Sequence, residues 1–324
     1  MDVSSFRKPK IGEEQSAAYN STMSITALDL NWTGRSHAIA AALLDFNGHR
    51  ALVDPGPDST VETLRQQLHG RGLSVADLEA ILVTHIHLDH AGATGSLVRE
   101  NPRLAVYVHN LGARHMADPS KLLVSAGRLC GDDLPRLFGH PIPVPQENLR
   151  ILQGGETISL GDRKIGVVYT PGHASHHVSY FDDSDGVAFV GDTAGIRIEN
   201  GPYIMPATPP PDIDLTLWEG SFAAILARKP ARFFLTHFGY AENPAEHIAE
   251  FRERLYRWTE IAGETVGNAT SESGAVQSFV ATATADIAQY LPADGVEQYA
   301  ATAGLDLSFL GLARYLRKKA EAAS

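Results

Sequence analysis

Residues 80–95 read AILVTHIHLDHAGATG, an apolar run that ends in three histidines and an aspartate between positions 85 and 90. The opening residues are too apolar for a surface loop and have the length of a buried strand. In extended chain, side chains two positions apart project to the same side, so His85 and His87 can converge on one point. As the chain turns into the helix expected next, Asp89 and His90 can face a second point close by. Imidazole and carboxylate together suit zinc, iron or manganese.

Working outward, the same arrangement recurs three times. VVYTPGH (167–173) places His173 after a strand, at a Pro-Gly turn that fixes the backbone. VAFVGD (187–192) ends in Asp192, and FFLTHFG (233–239) carries His237 directly after its apolar run. A lone strand-end histidine is more often a satisfied core side chain, and a lone aspartate is more often a turn residue. Four such strand ends in one chain are an improbable coincidence. Ligands at the ends of separate buried strands converge on one sheet edge, where rigid elements hold metal geometry best.

The rest of the chain frames these segments. A polar tail is expected over residues 1–22. From Ser24 apolar β segments alternate with helices, and Asn47-Gly48 marks a hairpin turn between two apolar runs. A proline-containing connection over 111–149 reads as short helical pieces, and a link of that length inside a compact domain is usually functional. A second β-rich run follows from Leu149, and from about Ala245 the composition turns helical. The division expected is a tail (1–22), a catalytic α/β domain (23–243) and a C-terminal helical region (244–324). Apolar strands flanked by helices argue for a layered sandwich.

Lys and Arg number 27 against 38 Asp and Glu, a formal net charge of −11. Affinity for nucleic acid rests on clustered cations, so that partner is disfavoured and a small-molecule substrate is expected. Cys130 is the only cysteine, so neither an internal disulfide nor a thiolate cluster can form. The opening residues lack the apolar core of a secretory signal, and no stretch has the length of a membrane span. The expectation is a cytoplasmic protein with no membrane partner.

The succession HxHxDH, PGH, GD and a final strand-end His resembles the metallo-β-lactamase superfamily over about residues 24–240. The resemblance implies a four-layered αββα sandwich with a metal site at one edge, here extended by C-terminal helices. It implies that His85, His87 and His173 hold one divalent cation and Asp89, His90 and His237 a second, with Asp192 bridging. Asp54, in ALVDPGP, resembles the family's aspartate that hydrogen-bonds a ligand. Its other reading is a turn-initiating Asp before Pro.

The resemblance also discriminates. The best-known β-lactamases carry a cysteine where Asp192 stands, which disfavours penicillin hydrolysis. Glyoxalase II proteins read TPGHTxGH; this chain reads TPGHASHH, with His177 at the final-His position. Tyr203, in the proline-rich stretch after Asn200, is a further candidate to approach the site. Surface or pocket positions are expected for His109, His115, His140 and His176.

The function expected is a hydrolase in which a hydroxide shared by two cations attacks an ester, thioester, lactone or phosphoester. Asp89 and Asp192 are the catalytic carboxylates, and no serine or cysteine nucleophile is signposted. Zinc is the default for such an N/O site, with iron and manganese open on geometry. An iron redox enzyme and a nuclease of the same superfamily are the rivals. The C-terminal helices could supply pocket walls or a homodimer interface.

Overall fold

The computed structural model describes residues 24–323; the polar tail expected over 1–22 lies outside them. Six strands form the first sheet: β1 (Ser24–Asp29), β2 (Ala40–Phe46), β3 (His49–Val53), β4 (Ala80–Leu82), β5 (Ala105–His109) and β6 (Leu149–Leu152), in that order. The second holds β7 (Thr157–Leu160), β8 (Arg163–Tyr169), β9 (Val178–Asp182), β10 (Val187–Phe189), β11 (Arg232–Leu235) and β12 (Gly239–Glu242), again in simple succession. The β2–β3 hairpin turns at Asn47 (φ 57°) and Gly48 (φ 89°), the left-handed pair that an Asn-Gly turn supplies at little cost. The links β3–β4, β4–β5, β5–β6 and β10–β11 are parallel, so each needs a crossover.

Helices fill those crossovers and cover the outer faces. On the first sheet lie α1 (Val61–His69), the single turn α2 (Leu88–Ala91), α3 (Thr94–Glu100), α4 (Asn110–Ala117), α5 (Ser120–Cys130) and α6 (Leu134–Phe138). On the second side lie α7 (Leu215–Ala227), α8 (Pro244–Asn268), α9 (Glu272–Ile287), α10 (Ala293–Ala303) and α11 (Leu305–Ala323).

Strand periodicity sorts the apolar residues into three cores. On β3, Ala51 and Val53 face inward between the sheets while Leu52 faces out; on β4, Ala80 and Leu82 face inward and Ile81 out. The inner core sets Leu44 and Leu82 of one sheet with Tyr180 and Phe189 of the other. One outer core joins Leu52, Ile81 and Val106 to Leu64 of α1 and Leu97 of α3. The other joins Phe181, Phe233 and Leu235 to Trp218 of α7 and Phe251 of α8, and continues into Phe279 of α9 and Phe309 of α11. These three cores separate four layers, the αββα sandwich expected from the sequence.

The helical region begins at Pro244 with α8 and shares its core with the second sheet. Gly311 of α11 shows how closely: a Cβ there would lie 1.9 Å from the Thr208 carbonyl oxygen. Three elements have no counterpart in the sequence reading. Helix α7 is capped by Asp214, whose carboxylate accepts from the Thr216 and Leu217 N–H groups. Strand β12 is a four-residue edge, and α10 follows Pro292, where only a break was expected. No helix among the described residues is long and apolar enough to cross a membrane.

Candidate metal centre

Strand ends deliver every member of the predicted cluster. Beyond β4 the chain bends at Thr84, passes His85 and His87, and then turns into α2, which carries Asp89 and His90. His173 follows β8 and His237 follows β11. Asp192 sits in a short helical turn after β10, behind Gly191. That glycine has φ 46°, and a Cβ there would meet His177 Nε2 and Thr84 Oγ1, both at 2.6 Å. Only glycine brings Asp192 this close to the β4 loop.

Three sets of side chains place their ligating atoms within 4.8 Å of one another: His85, His87 and His173; His85, His90 and Asp192; Asp89, His90 and His237. His87 Nδ1 lies 3.0 Å from His85 Nε2 and 3.0 Å from His173 Nε2. Tetrahedral ligands about 2.0 Å from zinc stand roughly 3.3 Å apart, so the spacing suits such an ion. Asp89 Oδ2 is 3.4 Å from His237 Nε2 and 3.7 Å from His90 Nε2. Asp192 reaches both sides. Its Oδ1 is 3.2 Å from His90 Nε2 and 3.6 Å from His237 Nε2, and its Oδ2 is 3.5 Å from His173 Nε2.

The surrounding shell fixes which nitrogen each ring presents. His173 Nδ1–H donates to the Ala207 carbonyl (2.8 Å) and His237 Nδ1–H to the Ala38 carbonyl (2.7 Å). Asp54 is buried, and its Oδ2 accepts from His90 Nδ1 (2.8 Å), Thr84 Oγ (2.7 Å) and Thr236 Oγ (2.8 Å). Its Oδ1 accepts from the Thr84 N–H at 2.8 Å. Because the Thr84 hydroxyl donates to Asp54, it accepts from His85 Nδ1 at 3.1 Å. Four rings therefore turn Nε2 toward the cluster. With its Nδ1 so engaged, His90 Nε2 is a fully buried nitrogen without a hydrogen-bond partner among the described residues, as is Asp192 Oδ1 beside it. With His90 neutral, these would be two facing lone-pair atoms 3.2 Å apart, an arrangement that either a cation or a proton between them satisfies.

Electrostatics divide the rings. Burial, reinforced by neighbouring imidazoles, pushes His85 well below the ordinary histidine range and His87 down to about 4. Burial also lowers His173. These rings are neutral and ready to coordinate. Burial acts downward on His90 and His237 too, but Asp192, Asp89 and, for His90, Asp54 outweigh it and raise both. Burial opposes ionisation of Asp89 and Asp192, yet His90 and His237 hold Asp89 at about 2 and Asp192 well below the carboxylate range.

His177 backs the cluster. Its ring stacks on His85 with centroids 5.0 Å apart, and Nδ1 lies 2.9 Å from Thr170 Oγ and 3.1 Å from Thr193 Oγ. Tyr203 does not approach the site. It is buried among the C-terminal helices, where its hydroxyl donates to Asp286 at 2.8 Å and its ring meets Tyr299. The aromatic core of α8–α11 claims it. His109 stacks on Tyr169, and the His140 N–H donates to Asp58. His176 stands over the cluster, 5.7 Å from the His87 ring and 6.1 Å from His85, with Nδ1 accepting the Ile86 N–H. The sequence reading passed over Thr84, Thr236 and the carbonyls of Ala38 and Ala207. The threonines had a signal: each immediately precedes a strand-end histidine. The carbonyls had none.

A cavity of about 650 Å³ opens over the cluster, with His87, Asp89, Asp192 and His237 in its floor. Helices α5 and α6 wall one side and α10 with the start of α11 the other.

Residues 37–237 match the family model described as the metallo-beta-lactamase superfamily. Among curated proteins, the metallo-beta-lactamase fold-containing protein ST1585 of Sulfurisphaera tokodaii is 31% identical over 165 residues, 50% of this chain and 61% of that protein. A hydroxyacylglutathione hydrolase of Maricaulis maris is 33% identical over 148 residues, 45% of this chain and 43% of that enzyme. The chain thus spans less than two thirds of the length of these relatives. Among solved structures, a metallo-beta-lactamase family protein of Thermus thermophilus, TTHA1429, superposes with a TM-score of 0.63 at 20% identity, covering 92% of this chain and 93% of that one. ST1585 superposes at 0.61 with 21% identity, covering 85% and 93%. At such identities the structures establish the fold alone.

Proposed function

The chain belongs to the metallo-beta-lactamase superfamily, and from that premise we propose that it is a hydrolase working through two divalent cations, zinc by default, on a small-molecule ester, thioester, lactone or phosphoester. The observation that carries this reading is the orphaned pair His90 Nε2 and Asp192 Oδ1, buried without hydrogen-bond partners at the centre of five imidazoles and two carboxylates. His85, His87 and His173 would hold one cation and Asp89, His90 and His237 the other, with Asp192 offering one oxygen to each. Bound there, such ions supply Lewis acidity toward an acyl or phosphoryl oxygen and bring the pKa of water down to about 7.

The chain's own residues do the rest. Asp54, the two threonines and the two carbonyls hold the rings in one orientation, so little reorganisation accompanies reaction. Asp89 is partly buried at the cavity floor, where its carboxylate orients the attacking water and balances charge. Helices α5 and α10 restrict bulk solvent. The net charge of −11 favours a small molecule over nucleic acid as the substrate. The relatives named as hydroxyacylglutathione hydrolases support hydrolysis of an acyl thioester over redox chemistry.

The test is a panel of esters, thioesters, lactones, phosphodiesters and β-lactams, assayed with zinc-loaded and chelated protein. Turnover of at least one class that disappears on chelation and in Asp192→Asn supports the reading. Activity that survives both treatments refutes it.

A further inference from the structure

Helix α5 (Ser120–Cys130) carries an apolar stripe at helical spacing, Leu122, Ala126 and Leu129, yet not one of its residues is fully buried. Such a stripe ordinarily packs into a core. Here all three residues line the cavity over the His/Asp cluster, Leu122 also packing against the first outer core. Across from them stand Ala300 and Ala303 of α10 and Leu307 of α11, all partly exposed. Phe138, stacked on Trp32 at 5.9 Å, joins the first wall. The charged lining groups Arg114, Lys121, Asp133 and Asp306 are exposed at the rim, and Asp212, half-buried, accepts from the Ser175 hydroxyl. These residues give the cavity an apolar-walled trough, flanked by the polar side chains of His115, Ser125, Ser175, His176 and Thr302 and continuous at its floor with Asp89 and Asp192.

We propose that this trough takes the acyl chain of the substrate, so that the preferred substrates are esters or thioesters of medium-chain fatty acids. The inference rests on the hydrolase reading and narrows it. From Leu122 to Leu129 the helix rises about 10 Å at 1.5 Å per residue, the reach of roughly an eight-carbon chain. In the reaction, water adds its oxygen to the acyl carbon and the C–O or C–S bond breaks. The fatty acid and an alcohol or thiol leave, the second proton of water passing to the leaving oxygen or sulfur. No oxidant or co-reactant is needed.

Each methylene transferred from water to an apolar wall contributes about 0.8 kcal/mol, close to fourfold in affinity. The experiment has two arms on the full-length protein. In the first, zinc-loaded enzyme is assayed on p-nitrophenyl acetate, butyrate, hexanoate and octanoate, and on the matching acyl thioesters of N-acetylcysteamine. In the second, acetate, hexanoate and octanoate are titrated calorimetrically into the same protein. We expect kcat/KM to rise several-fold with each added methylene up to octanoyl, chiefly through KM. Carboxylate affinity should climb in parallel. Leu129→Asp, with Leu122→Ser as a milder substitute should it misfold, is expected to cut the octanoyl rate at least tenfold more than the acetyl rate.

The arms separate two failures. If no ester or thioester is turned over but affinity climbs with chain length, the trough binds acyl chains but its assignment to an ester or thioester substrate is wrong; if no class of the full hydrolysis panel is turned over, the hydrolase reading falls with it. If acetyl substrates are hydrolysed while rates and affinities stay flat or fall with length, the trough assignment is wrong. The oxygen and sulfur series decide which leaving group is preferred.

Discussion

Replacing Asp54 by Asn changes one atom in a carboxylate that serves four donors and does not line the cavity over the cluster. Every group facing Asp54 gives a hydrogen bond: the Thr84 N–H, the Thr84 and Thr236 hydroxyls, and His90 Nδ1. An amide has one acceptor oxygen, so its NH2 must confront at least one buried donor. Placing the NH2 at Oδ1 sacrifices only the Thr84 N–H; placing it at Oδ2 sacrifices three contacts, so the first orientation is selected. One buried donor left without a partner costs about 1–3 kcal/mol. The bonds that remain lose charge assistance and are roughly half as strong. His90 loses the partner that fixes its ring and raises its basicity, and His85 is affected at one remove through Thr84. Changes of this kind weaken metal binding about 10–100-fold, or ~1.4–2.7 kcal/mol. Zinc affinity would be measured by competition with a chromophoric chelator, with circular dichroism to establish that the variant is folded. The equivalent held by His90 should weaken into that range and the other less. A folded Asp54→Asn protein that binds both equivalents within twofold of the wild type would refute the reasoning.

Other expectations follow from the same geometry. Gly311→Ala would drive a methyl group into the Thr208 carbonyl, next to the Ala207 carbonyl that orients His173. Overpacking of this kind costs about 1–3 kcal/mol, so thermal unfolding should move down together with zinc affinity. His247 is buried, donates from Nε2 to the Ala194 carbonyl, and has its pKa lowered by burial to about 4. A histidine depressed in the folded state favours folding above its unfolded pKa near 6.5, and that contribution disappears as pH falls toward 4. The loss is on the order of 3 kcal/mol, so denaturant unfolding of His247→Gln should show a shallower decline across that window than the wild type. Chelation should lower the melting temperature. Each cation held at a hundred times its Kd stabilises the fold by about 2.7 kcal/mol, and an unchanged melting temperature would contradict a resident metal.

The legible part of the molecule was the part written in local pattern. The apolar runs ending in His85, His173, Asp192 and His237 announced both strands and the side chains that gather at their ends, because a buried strand and a strand-end imidazole each leave a mark within a few residues. Asn47-Gly48 announced its hairpin for the same reason. Strand β12 left little mark, since a four-residue edge containing Gly239 and Glu242 has no strand signature of its own. Helix α7 lies between a proline-rich stretch and Pro230, and its fairly uniform apolarity gives no helical stripe to find. The interactions that fix the rings were less visible still. Ala38 reaches His237 across 199 positions and Ala207 reaches His173 across 34, both through backbone carbonyls that carry no residue-type signal. Tyr203 misled because proximity to a proline-rich loop said nothing of Asp286, 83 positions away, which takes its hydroxyl.

The most direct test is anomalous diffraction at the zinc edge from crystals of the zinc-loaded protein. Two peaks about 3.5–4 Å apart are expected, one among His85, His87 and His173 and one among Asp89, His90 and His237, with Asp192 between them. A single peak, or none within that ring of side chains, would contradict a two-cation centre.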